Sequence, residues 1–163
     1  CAVIIVRRRR KSNPSGEVGT VVDSGMLLSK TTGYGIRSLA FLARQPQSRL
    51  CGLQELAEGE NAPPVFLRKI LGELRRHRLV TSLKGIHGGY ALAKPADEIT
   101  LWDVFTILDS DPYWDRCVLT YAPCSVESPC VLCPMWQRQR QEFFDALKST
   151  TIADVARGGS QGA

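Results

Sequence analysis

Four of the six cysteines fall in one short run, Cys117, Cys124, Cys130 and Cys133, with spacers of six, five and two residues. Thiols gathered this closely either oxidise to disulfides or share a soft metal centre. Pro123, Pro129 and Pro134 forbid regular structure through most of the run, because proline lacks the amide donor and fixes φ. The sulfurs are therefore expected on a loop whose free amides can hydrogen-bond to a bound group and tune it. Four thiolates suit an iron–sulfur cluster of the 2Fe–2S or 4Fe–4S kind, and they also suit a closed structural zinc site. Spacing alone does not choose between them. A dithiol oxidoreductase at Cys130-x2-Cys133 lacks the βαβ context that chemistry uses, and no catalysis is expected. Cys51 reads as a small buried residue, and Cys1 receives no role.

The elements around this run divide by charge. Of the 163 residues, 26–95 carry a net charge of +7, whereas 96–163 carry −5. Such asymmetry suits a polyanion-binding module joined to a part with another task. The apolar fraction of 44% supports a core, and no stretch reaches the roughly 20 apolar residues a membrane helix needs. Cys1–Val6 followed by Arg7–Lys11 has the reverse order of a signal peptide. With no disulfide framework implied, a cytoplasmic location is expected. Residues 1–25 read as a disordered basic extension foreign to the rest, with the working start at Met26.

From Leu28 an apolar face of Ile36, Leu39, Ala40, Leu42 and Ala43 predicts a helix, stopped at Gln45-Pro46. A short helix near Leu53–Glu58 and a turn at Gly59-Glu60-Asn61 follow. Pro63 and Pro64 then open a third helix, where a missing donor costs little. Leu67, Ile70, Leu71 and Leu74 form its buried stripe to about His77, opposite Arg68, Lys69, Arg75 and Arg76. A short helix, a tight turn and a basic second helix form a DNA-reading arrangement. Arg75 and Arg76 also suit the negative end of the helix dipole. Leu79–Lys84 and Tyr90–Ala93 read as strands joined by the glycine-rich Gly85–Gly89, a hairpin in the position of a wing. Lys84 and His87 would be carried towards DNA. Thr100–Asp103 caps another helix. A last long helix runs from Pro134 to about Lys148, its stripe of Leu132, Met135, Trp136, Phe143 and Leu147 pointing to a partner subunit, with core packing inside one chain as the alternative. Thr151–Asp154 reads as a capped turn and 157–163 as a disordered tail.

Laid out in this order, the chain resembles the IscR/NsrR-like family of winged helix-turn-helix transcription regulators, many of which sense iron–sulfur clusters. The likeness covers about residues 26–156. It is carried by Met26–Arg37, by Leu67–Leu74, by the wing Gly85–Pro95, by Ile99–Val104, by Cys130–Trp136 and by Thr151–Val155. The resemblance implies a mainly α fold with a small β-hairpin wing: a winged helix-turn-helix domain over 26–98, then a cluster-binding loop and dimerisation helix over 99–156. It further implies a homodimer, a pseudo-palindromic operator in double-stranded DNA, and repression controlled by cluster state. Three ligands would correspond to Cys117, Cys124 and Cys130. Relatives take the fourth from a histidine, at the position of Cys133 here, or from an aspartate, where Gly33 stands and cannot ligate, so Cys133 is the candidate. For DNA the expected contacts are Arg68, Lys69, Lys84 and His87. The first spacer is one residue longer than usual, and Pro63, Pro64 and Val65 stand where relatives place hydroxyl residues that touch bases. Two other readings stand beside this one. One is a thiol- or zinc-based regulator without a cluster. The other is a protein-interaction module acting on a metabolic enzyme, which predicts weak, salt-insensitive DNA affinity.

Overall fold

Ser29 caps helix α1, Lys30–Ala43: its hydroxyl accepts from Thr32 N at 3.1 Å. The computed structural model describes residues 28–46, 49–85, 87–109, 114, 116, 117, 119 and 130–158. The expectations for the arm 1–25, for Cys124 and for the tail beyond 158 lie outside these residues. Asp109, at the far end of the fourth helix, accepts from Ser29 N at 2.9 Å and from Thr32 Oγ1 at 3.3 Å. A carboxylate at the start of a helix satisfies orphan amides and complements the dipole.

Helix α2 (Leu53–Gly59) buries Leu56 and Ala57, and α3 (Pro64–Arg76) buries Leu67, Ile70, Leu71 and Leu74. Between them Asn61 takes a left-handed conformation at φ 47°, which a short polar side chain tolerates. Past α3, Arg78 is left-handed at φ 58°, and Leu79 N donates to Leu74 O at 3.0 Å. This closes the helix and turns the chain into strand β1, Val80–Leu83. Strand β2, Gly89–Leu92, pairs with it antiparallel in the register Val80↔Leu92 to Leu83↔Gly89.

The hairpin is not left hanging. Cys51 and Tyr90 exchange backbone hydrogen bonds of 2.9 and 2.8 Å, fixing β2 to the segment before α2. Residue 89 must be glycine for this, because a Cβ there would stand 2.6 Å from Cys51 O.

A 3-10 turn at Ala96–Glu98 leads to α4, Leu101–Leu108, capped by the reciprocal Thr100–Asp103 pair. Helix α5 runs Cys133–Ser149 and α6 runs Ile152–Gly158, longer than the capped turn expected from sequence. Thr100 and Thr151 form an antiparallel bridge, with Leu101 N bonded to Thr150 O at 2.9 Å and Ile152 N to Ile99 O at 2.8 Å. α6 therefore packs back on α1 and the 3-10 turn.

The main core joins α1, α2, α3, the base of the hairpin, α4 and Ile152 of α6. A second, aromatic cluster lies between α4 and α5, built from Phe105, Trp114 and Leu147 with Trp102, Trp136, Phe143 and Phe144 against them. Trp114 stacks on Phe143 at 4.7 Å between ring centroids and on Trp136 at 5.9 Å. Such pairs add about 0.5–1.5 kcal/mol each beyond area burial. The chain itself thus covers much of the α5 stripe, while Met135 and Val131 stay exposed. Among the described residues no helix is long and apolar enough to cross a membrane.

Candidate functional site

Two groups of residues carry chemistry, one on each side of α4. The first is the face of α3 that the core does not use. Leucine and isoleucine at 67, 70, 71 and 74 point inward, so helical geometry turns Val65, Arg68, Lys69, Gly72, Arg75 and Arg76 the other way. A groove separates this face from the hairpin, with Arg68, Gly72 and Arg75 on one wall and Ser82, Lys84 and Gly88 on the other. Arg75 Nη1 reaches across it to Ser82 Oγ at 3.5 Å.

The ion pairs sort the cations. Arg37 pairs with Glu60, Arg49 with Glu55 and Arg76 with Glu73. Among the described residues no carboxylate pairs with Arg68, Lys69, Arg75 or Lys84. Uncompensated charge is therefore concentrated where α3 meets the wing, the distribution a phosphate backbone attracts.

Of the four expected DNA residues, Arg68 and Lys84 line the groove together. Lys69 is exposed on the same helix beside it, and His87 is exposed at the hairpin tip. Arg75, which the sequence placed on the basic face of this helix but not among the expected DNA contacts, also lines the groove. Its spacing of seven from Arg68 is two helical turns, which places both on one face. At the first turn, Val65 is 74% exposed and offers a base only an apolar contact, of the kind a thymine methyl accepts.

The second group is the cysteine run. Cys117 and Cys133 are buried and Cys130 is half-buried. Cys133 opens α5; its N–H donates to Cys130 O at 3.0 Å, and its sulfur accepts from Gln137 Nε2 at 3.2 Å. Cys117 belongs to a separate segment that is fastened to the same helix. Trp136 Nε1 donates to Arg116 O at 3.0 Å, and Arg140 Nη1 to Trp114 O at 2.9 Å. Buried carbonyls thereby find donors, and the backbone beside Cys117 is held one turn beyond Cys133. Among the described residues, no three histidine, cysteine or acidic side chains are gathered closely enough to hold a metal.

Cys51 is different in kind. It is fully buried in the main core, and burial, with Glu55 adding to it, pushes its thiol above the ordinary value. A thiol so placed is inert and structural, as expected from its sequence context.

The comparisons with known proteins bear on both groups. Residues 28–158 match the family model Rrf2, described as an iron-dependent transcriptional regulator. A protein of Aquifex aeolicus named an HTH-type transcriptional regulator is 34% identical over 132 residues, 80% of this chain and 91% of its own. One of Mycobacterium tuberculosis with the same kind of name is 35% identical over 134 residues, 82% of this chain and 83% of its own. Among solved structures, CymR, titled the global cysteine regulator of B. subtilis, superposes with a TM-score of 0.67 at 26% identity, covering 82% of this chain and 98% of that one. IscR of T. potens gives 0.66 at 24% identity, over 85% of this chain and 93% of that one, and shares the fold.

Proposed function

Because this chain belongs to the Rrf2 family of winged helix-turn-helix transcription regulators, we propose that it is a homodimeric repressor whose operator affinity is set by an iron–sulfur cluster held on Cys117, Cys124 and Cys130, with Cys133 as the fourth ligand. The observation that carries the reading is the attachment of the Cys117 segment to the cysteine-bearing start of α5 through Arg116 and Trp136. The donor set fits the group: Cys117 and Cys133 are buried, Cys130 is half-buried, and thiolate is the ligand iron–sulfur clusters take. Bound there, the cluster would supply iron–thiolate chemistry sensitive to oxidants and nitric oxide.

The remaining work falls to the chain. α5 and α4 share the aromatic cluster, and α4 presses on α1 so closely that a Cβ at Gly35 would stand 2.3 Å from Leu108 Cδ1. The same point is 3.6 Å from Ile70 Cγ2 of α3. A shift of the cysteine segment thus has a packed route to the reading helix, and couplings of this kind are typically about 1–3 kcal/mol. Exposed Val131 and Met135 near the start of α5 support a second copy there. Arg68 and Lys69 would face the major groove, with Lys84 and His87 on the wing.

The test is serine substitution of Cys117, Cys124 and Cys130, with iron and sulfide analysis of anaerobically purified protein. Colourless variants with altered affinity for the duplex that the wild type selects from a random pool are expected. Unchanged iron content and affinity would overturn the reading. A thiol switch without metal is the second reading, favoured by the backbone contact between Cys130 and Cys133 and by the 29% likeness to Staphylococcus aureus CymR, whose oxidized form is a solved structure. It requires iron-free protein in which a reversible disulfide alters DNA affinity.

A further inference from the structure

The groove between α3 and the hairpin contains a mid-helix glycine that packing does not require. Gly72 lies in the middle of α3, where glycine lowers helix stability relative to alanine. At two other positions the structure shows what a glycine avoids: a Cβ would stand 2.6 Å from Cys51 O at residue 89 and 2.3 Å from Leu108 Cδ1 at residue 35. At residue 72 a Cβ would meet nothing within 4 Å beyond its own helix. The chain leaves this clearance unused.

Its position says what could use it. Gly72 is four residues after Arg68 and three before Arg75, so the three share a face. Together they form the α3 wall of the groove, opposite Ser82 and Lys84, and no acidic side chain lines it. Bare backbone flanked by uncompensated cations suits close approach of a polyanion.

We propose that Gly72 seats the duplex: its missing side chain lets one phosphodiester strand lie against α3 between Arg75 and Lys84. The inference rests on the DNA-binding reading of this face and adds a residue that carries no charge and no donor side chain. A methyl group at this point would hold the strand off the helix, lengthening both charge-assisted contacts at once.

The substitution Gly72→Ala separates DNA seating from folding, because the two move in opposite directions. Thermal unfolding and DNA affinity are measured on the full chain. The probes are a duplex selected by the wild type from a random pool and an unrelated mixed-sequence duplex at low salt. The melting temperature should rise by about 2–4 °C, as glycine-to-alanine changes at compatible helical sites do. Affinity for both duplexes should fall roughly tenfold. Unchanged affinity overturns the proposal, as does a lowered melting temperature, which would give Gly72 a structural role. Loss confined to the selected duplex would mean a base-edge contact and overturns the phosphate assignment. Wild-type protein that binds neither duplex would remove the DNA-binding reading itself.

Discussion

Trp136 Nε1 and the carbonyl of Arg116 lie 3.0 Å apart, and this bond ties the residue before Cys117 to the first turns of the helix that Cys133 opens. Stacking of Trp136 on Trp114 holds the indole in place while its N–H does the fastening. Packing and polar attachment can therefore be tested separately.

Trp136→Phe keeps a ring against Trp114 and removes the donor. One lost hydrogen bond costs about 0.5–1.5 kcal/mol of stability. Supporting groups around metal ligands matter more to retention, so under the proposed cluster assignment iron release to a chelator should quicken roughly tenfold. Release at the wild-type rate would show that the segment is held by stacking alone.

Arg75→Ala and Lys84→Ala each remove an unpaired cation from the groove. Each should flatten the slope of log affinity against log salt by about one unit. Arg76→Ala, whose guanidinium is already paired with Glu73, should change the slope less. Arg68→Ala should also relax sequence preference, worth about 1–3 kcal/mol if it reads a guanine. Equal slopes for Arg75→Ala and Arg76→Ala would contradict the groove as the phosphate track.

Asp109→Ala strips the carboxylate from Ser29 N and Thr32 Oγ1. Loss of this cap should lower unfolding free energy by about 1–2 kcal/mol in urea titrations. Combined with Ser29→Ala, the effects should fall short of additive, since both act on one cap. Simple additivity would mean the two groups act independently.

Acid should unfold the protein in part through Asp154. Hydrogen bonds from Thr151, first its hydroxyl and then its amide, with Arg157 adding to them, hold this carboxyl at about 2 rather than 3.8. The unfolded chain therefore takes up the proton first as pH falls, and the stability Asp154 contributes above pH 3.8 disappears towards pH 2. Asp154→Asn should be less stable than wild type near neutrality, and the gap should close across that window. A constant gap at every pH would assign the effect to helix geometry instead.

The parts legible in the sequence were those written in local signals. Pro63-Pro64 before leucines at helical spacing marked α3, and Thr100 with Asp103 marked the start of α4, which carries the full capping box. The hairpin followed from glycines between short apolar runs. What stayed hidden depends on residues far apart in the chain. The Cys51–Tyr90 bridge has no local trace. The burial of the α5 aromatics follows from Trp114 docking on them, which spacing within α5 cannot reveal. Arg75 stood on the basic face of α3 but not among the expected contacts, because its partner Ser82 lies on another element, although its spacing from Arg68 already placed the two on one side of the helix.

The Thr100–Thr151 bridge has a mechanical meaning. The stretch between these threonines starts and ends at one clamped point, with α4 packed into the main core and α6 locked behind. It is an insertion with both ends anchored at the same spot. Under the proposed function, a change at the cysteines would be returned to the DNA-binding domain at this clamp. An arm so mounted could be exchanged for another with the same clamp, leaving the reader intact and changing only what it listens to.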